Sequence, residues 1–221
     1  MNTTVLIPTW NEEGNIGRLI KSIKELDASY EVIAIDNAST DNTKKEVEQN
    51  GGKYVLQEGK GYGAALRTGF RHALAQNADV IVTMDGDLSH PPEIIPQIIA
   101  KISDAEVAVA SRYCAGGGYA ETKGLQRILS YALNWALAFR FRIPIKDFSS
   151  GFRAYHGAVI RAISPERDGY DILEEILVLA HKKKFTITEV PFIYGKRNAG
   201  KSKTQLFKLA PKYLSLLIKG R

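Results

Sequence analysis

Short apolar runs alternate with helix-spaced segments through the first half of this chain, and that alternation limits the fold more than any other feature. Residues 4–8, 30–36, 80–85 and 106–111, rich in Val, Ile, Leu or Ala, read as strands, and 53–57 reads as one more. Between the first two, Ile16, Leu19, Ile20, Ile23 and Leu26 recur at helical spacing. A polar helix follows the second strand, another runs from Gly61 to about Ala75, and Pro91-Pro92 opens the next, where proline is tolerated in a first turn. Such alternation at short intervals gives an α/β fold, a mostly parallel sheet with helices on both faces. With 221 residues and no repeat or linker, the chain reads as a single domain over 1–221.

Three of these strands end in polar or acidic clusters at what must be one sheet edge: 8–12, 36–41 and 85–87. In open α/β sheets ligands sit beyond the carboxyl ends of the strands. The third cluster, Asp85-Gly86-Asp87, lets two carboxylates reach one point, and Gly86 leaves room for a ligand close to the backbone. Two hard oxygen donors suit Mg²⁺ or Mn²⁺, which fills its shell with water and phosphate oxygens. Standing alone, the same sequence is equally an ordinary solvated turn. A G-x-G-x-x-G after the first strand and a Walker loop are both missing, which argues against the dinucleotide and P-loop classes. Lys60-Gly61-Tyr62-Gly63 suits a helix-start turn as well as a ligand contact.

Charge divides the chain. From Lys182 onward there are 11 Lys or Arg and one acid, Glu189, whereas the rest is mildly acidic. A basic end on an acidic body fits an anionic surface or substrate. No recognition-helix signature accompanies it, so nucleic acid is not expected as a partner. The single cysteine, Cys114, excludes an internal disulfide framework and reads as an inert small residue. The four histidines, His90 among them, do not cluster and read as surface or helix positions. Asp171, Glu174 and Glu175 begin a helix, where acids are normal. The first residues lead straight into a strand pattern, so no secretory leader is expected there.

The motifs come in an order that resembles family 2 glycosyltransferases with the GT-A fold. They are Pro8-Thr-Trp10-Asn-Glu12-Glu13, Asp36-Asn-Ala-Ser-Thr-Asp41, Gly61-Tyr-Gly-Ala-Ala and Asp85-Gly-Asp87-Leu-Ser-His-Pro-Pro-Glu93. Asp147-Phe-Ser-Ser-Gly151-Phe-Arg153-Ala-Tyr155 and Arg197-Asn-Ala-Gly200-Lys-Ser202-Lys203 narrow the resemblance to the dolichyl-phosphate (polyprenyl-phosphate) mannosyl- or glucosyltransferase branch. The resemblance implies a three-layer sandwich and inverting, metal-dependent transfer of a hexose from GDP-mannose or UDP-glucose to a polyprenyl phosphate. It places Pro8, Trp10, Glu12, Ile35 and Asn37 at the nucleoside. Asp85, Gly86 and Asp87 fall at the diphosphate, with Asp85, Asp87 and Ser89 as metal ligands. Arg112 falls near the sugar or phosphates, with Asp87 and Arg112 as catalytic groups, and Arg197 and Lys203 close over the donor. Two departures stand out: the family often has Asp-Asp at Asp36-Asn37, and some mannosyltransferases carry Gln where this chain has Ser89.

The chemistry agrees. A phosphate acceptor has a second pKa of roughly 6 and arrives ionised, so it needs cations more than a general base. Arg112 and Arg127, with Ser130 as a hydrogen-bond donor, are the candidates for holding it. A saccharide hydroxyl acceptor would instead need a carboxylate base, and a non-catalytic binding subunit would need no metal site. Asp147 and Arg153 suit a structural pair or a substrate role equally. Residues 125–143 and a basic amphipathic helix at about 204–219 fit either core-facing helices or a headgroup interface. The expected location is cytoplasmic, peripheral at the cytoplasmic face of the membrane, with a membrane surface or a membrane-anchored subunit as partner.

Overall fold

A computed structural model of the chain describes residues 1–121 and 124–195, without the side chains of 124–126. The sheet is organised around the central strand β1 (Thr3–Thr9), which pairs in parallel with β2 (Glu31–Asp36) on one side and β4 (Val80–Thr83) on the other. β3 (Lys53–Leu56) extends the sheet beyond β2. Beyond β4 comes β7 (Arg153–His156), then β5 (Val107–Ser111) and β8 (Ile187–Pro191), giving the order β3-β2-β1-β4-β7-β5-β8. β6 (Gly118–Tyr119) and β9 (Ile193–Tyr194) form a separate two-stranded ladder.

The apolar runs are nearly continuous because both sheet faces are covered. In β2, Val32 and Ala34 face one core while Ile33 and Ile35 face the other, and β4 splits Val80 and Val82 from Ile81 in the same way. The first core is closed by α1 (Ile16–Leu26), α2 (Thr43–Gln49) and α4 (Ile95–Ala100). The second is closed by α3 (Tyr62–Ala75), α5 (Gly124–Phe141), α6 (Gly157–Ala162) and α7 (Ile172–Lys182). The expected layers and parallel strands are therefore present, with boundaries within two residues of the sequence reading.

The exception is β7. It runs antiparallel to both neighbours, with Thr83 opposite Arg153 and Val109 opposite Arg153 on the other side. A strand of this direction starts at the edge where the parallel strands end, so the segment 147–152 arrives beside the loops after β4 and β5. Thr83 donates its hydroxyl to the Gly151 carbonyl at 2.7 Å and ties that arrival in place. No helix of the described residues is long and apolar enough to cross a membrane.

The Gly61-Tyr62-Gly63 turn is explained by backbone proximity. A Cβ on Gly63 would lie 2.0 Å from the Arg167 carbonyl oxygen, and one on Gly61 would lie 2.3 Å from that of Asp168. Gly61 also has φ of +92°, a conformation that favours glycine. This close approach seats Tyr62 against Tyr170, ring centroids 4.5 Å apart. Replacing Gly63 with Ala should push the 165–171 segment off α3 and destabilise the fold by about 1–3 kcal/mol. Denaturant unfolding checks this, and a midpoint equal to wild type would contradict it.

Candidate active site

The turn after β4 carries the two carboxylates. Asp85 is partly exposed, and its backbone N–H donates to His90 Nδ1 at 3.0 Å. His90 Nε2 lies 3.8 Å from Asp85 Oδ2, and Tyr62 directs its hydroxyl at Asp85 Oδ1, at 3.5 Å. Burial pushes the Tyr62 phenol well above its usual value, and the Asp85 charge adds to the effect, so the ring stays neutral. Asp87 Oδ1 accepts both the Ser89 N–H and the Ser89 hydroxyl. The turn passes through Leu88 at φ +64°, a left-handed conformation that costs a residue with a side chain about 1–2 kcal/mol. These hydrogen bonds offset that strain.

Two sequence expectations change here. His90 is not a surface residue but is buried, stacked on Phe152 at 5.0 Å and edge-on to Phe192 and Tyr194 at 5.7 Å each. Ser89 is fully buried, and its hydroxyl donates to Asp87 Oδ1, so it supports that carboxylate rather than opening to solvent as a metal ligand. Among the described residues no group of three His, Cys, Asp or Glu side chains is set to hold a metal. Two carboxylates on an accessible turn fit an ion such as Mg²⁺ or Mn²⁺, which takes few protein ligands and keeps sites for phosphate and water.

The loops after β1 and β2 meet this turn. A Cβ on Gly86 would lie 3.4 Å from side-chain atoms of Ile7 and Thr9 and 3.5 Å from Glu12, so Gly86 and Glu12 are neighbours. Asn37 donates its N–H to the Thr9 carbonyl, and Thr40 donates to Asn11 Oδ1, locking the two loops together. Asp36 is wholly buried and accepts from Ser39 and from the Tyr54 hydroxyl at 2.9 Å. Burial and that Asp36 contact push the Tyr54 phenol up to about 12. Trp10 and Asn37 are exposed above this frame, and Pro8 and Glu12 are half-buried. Ile35 departs from its expected place: its side chain is buried in the core beneath α3, near Gly69, and cannot face a ligand.

Across the edge, Arg112 follows β5 and meets the segment delivered by β7. Its Nε and Nη2 donate to the two oxygens of Asp147 at 2.8 and 2.7 Å, and Nη2 also reaches the Ser149 hydroxyl at 2.8 Å. Burial disfavours both charges, but each partner outweighs it: Arg112 is raised, and Asp147 is held below the usual carboxylate range. The buried pair is thus Asp147–Arg112, not Asp147–Arg153. Arg153 instead donates to the carbonyls of Phe148 and Leu173, both at 2.6 Å.

Arg112 and Arg127 converge on Tyr119, their guanidinium carbons 5.6 and 5.2 Å from its ring centre. Both line a cavity of about 340 Å³ with Tyr113, Gly117, Ile128 and Tyr131. Ser130 lies half-buried one turn on, near Asn134 Nδ2 at 3.4 Å. Tyr194 links this pocket to the acidic turn, with its ring 5.7 Å from His90 and 5.8 Å from the Arg112 guanidinium. Tyr113, Tyr119, Tyr131 and Tyr194 are site residues that the sequence reading did not name, and Tyr62 was read only as part of a glycine turn. Only Tyr62, between two glycines, carried a local signal. Arg197, Lys203 and the expected 204–219 helix lie outside the described residues.

Beneath the site, Glu174 in α7 is fully buried, and neither carboxylate oxygen has a hydrogen-bond partner among the described residues. Burial pushes its carboxyl up to about 8, against the attraction of Arg153. A folded-state value above the unfolded one means the folded chain holds the proton more tightly. The stability from the neutral form is therefore fully present below about 4.5 and is lost as pH rises toward 8. Glu174→Gln should flatten that decline, giving a higher Tm than wild type at pH 8.5 and a similar one at pH 5. Parallel Tm–pH curves for the two proteins would contradict this.

A mostly parallel seven-stranded sheet flanked by helices, with acidic and polar loops at its carboxyl edge, matches the GT-A type α/β architecture. The glycosyl transferase family 2 profile matches residues 4–164, and the chain belongs to that family. It is 34% identical to the dolichol-phosphate mannosyltransferase of Pyrococcus furiosus over 92% of its own length, spanning 59% of that protein. It is 27% identical to the undecaprenyl-phosphate mannosyltransferase of Micrococcus luteus, covering 92% of this chain and 87% of that one. In fold it matches glucosyl-3-phosphoglycerate synthase of Mycobacterium tuberculosis, solved with Mn²⁺, UDP and phosphoglyceric acid. The TM-score is 0.74 at 21% identity, over 98% of this chain and 76% of that one.

Proposed function

We propose that this chain moves a hexose, mannose or glucose, from a nucleoside-diphosphate sugar to a polyprenyl (dolichyl) phosphate in one inverting displacement. The observation that carries this reading is the meeting of Arg112 and Arg127 at Tyr119, in a pocket joined through Tyr194 to the Asp85–Asp87 turn. Two cations beside an aromatic wall suit a phosphate head better than a neutral sugar hydroxyl. The outer face of α5 continues from the pocket with Ile128, Leu129, Tyr131, Trp135 and Phe139 exposed, surface on which isoprene units and a membrane headgroup region can lie. The names of the Pyrococcus and Micrococcus relatives support the same acceptor class and favour mannose.

Each residue has a task in this scheme. Trp10, Asn37 and the backbone around Pro8 present a surface for the nucleoside, and Arg197 and Lys203 are assigned to the donor phosphates. Asp85 and Asp87 would hold Mg²⁺ or Mn²⁺, which supplies charge neutralisation for the departing diphosphate. Arg112, anchored by Asp147, presents a fixed cation between donor and acceptor, and Arg127 approaches from the acceptor side. The acceptor phosphate is already ionised near neutral pH, so no general base is assigned. The location that fits is the cytoplasmic face of a membrane.

The test is transfer of labelled hexose from GDP-mannose and UDP-glucose to a short polyprenyl phosphate with Mn²⁺. Arg127→Ala should lower acceptor efficiency about ten- to a hundred-fold, the loss expected for one charge-assisted contact of roughly 1.5–3 kcal/mol. Nucleoside-diphosphate affinity should stay near wild type. Asp87→Asn should abolish metal-dependent turnover. Equal loss of donor and acceptor binding in Arg127→Ala would move that arginine to the donor site, and free sugars used as fast as the lipid phosphate would overturn the acceptor class.

A further inference from the structure

The Asp85–Asp87 turn needs a support that the carboxylates themselves do not provide. It leaves β4, passes through the left-handed Leu88, and returns at His90 onto the backbone of Asp85. His90 Nδ1 accepts the Asp85 N–H, so that nitrogen carries no proton and the neutral ring's N–H is at Nε2. That edge faces Asp85 Oδ2 at 3.8 Å. One imidazole therefore contacts the backbone of Asp85 on one side and its carboxylate on the other. The ring is held between Phe152, Phe192 and Tyr194 and has little freedom to follow a moving turn.

We propose that His90 is a positioning residue for the divalent-metal site: its Nδ1 fixes the backbone from which Asp85 projects, and its loss weakens metal binding more than it weakens the fold. The proposal rests on the reading of Asp85 and Asp87 as the metal-holding pair. Its physical basis is that a group orienting a metal ligand controls affinity without touching the ion. Ser89 plays the corresponding part for Asp87, its N–H and hydroxyl both directed at Oδ1.

Two substitutions separate the acceptor from the aromatic stack. His90→Phe keeps a ring against Phe152 but offers the Asp85 N–H nothing. His90→Asn gives up the ring but can place an amide oxygen near the former Nδ1. Mn²⁺ binding is followed by loss of the free-ion electron paramagnetic resonance signal, with UDP and with GDP, and hydrogen exchange at the Asp85 amide is measured without metal. His90→Phe should bind Mn²⁺ about 10- to 100-fold more weakly than wild type and exchange the Asp85 amide faster. His90→Asn should stay within about threefold of wild type and keep the amide protected, even if its Tm falls. Wild-type affinity in His90→Phe, or equal loss in folded His90→Asn, would overturn the positioning role alone. Failure of wild type to bind Mn²⁺ with either nucleotide would overturn the metal reading and the proposal with it.

Discussion

The antiparallel insertion of β7 between β4 and β5 is the constraint on which this site depends. In a purely parallel sheet the carboxyl edge collects only the loops that leave the strands. Because β7 runs the other way, the edge also receives the segment leading into a strand, and that segment supplies Asp147, Ser149 and Gly151. Without it Arg112, just past the end of β5, would be a half-buried cation with no carboxylate partner, a costly state. With it, Arg112 is fixed by a two-point contact and faces Tyr119 and Arg127. The pocket beside Arg112 is therefore a consequence of strand direction.

The charges beneath the edge depend on the same arrangement. Asp147 is matched by Arg112, with a further hydrogen bond from its own N–H to Glu189 on β8. Arg153, fully buried in β7, donates from Nη2 to the Phe148 carbonyl and from Nη1 to that of Leu173 and so ties the delivered segment to α7. Glu174, close enough to feel that charge but without a hydrogen bond to it, is held neutral by burial. A polar layer of this kind resists collapse and keeps the floor of the site in one shape, at some cost in stability.

Much of this was legible in the residues. The parallel strands, the two-sided cores and the acidic turn at Asp85–Asp87 follow from apolar runs that end in carboxylates. The features that escaped were carried by long-range contacts. β7 is short and begins with an arginine, so no apolar run announces it. His90 looked like a surface or helix histidine because its partners, Phe152, Phe192 and Tyr194, lie far away in sequence. Apart from Tyr113, its neighbour in sequence, the tyrosines around Arg112 come from β6, β9 and α5, and only the folded chain assembles them. Ile35 shows the opposite error: strand alternation turns its side chain to the core while its neighbours Asp36 and Asn37 reach the edge.

One sheet edge, on this reading, gathers a metal-holding turn, a nucleoside surface and a phosphate pocket. Paramagnetic broadening of backbone amides by Mn²⁺ in the presence of UDP or GDP measures this directly. Resonances of 85–90 and of the adjoining 9–12 and 36–39 loops should be lost first, followed by those around Arg112, while α6 and the 27–30 turn, at the opposite edge of the sheet, stay sharp. Broadening centred elsewhere, or spread evenly over the acidic surface, would contradict the shared edge.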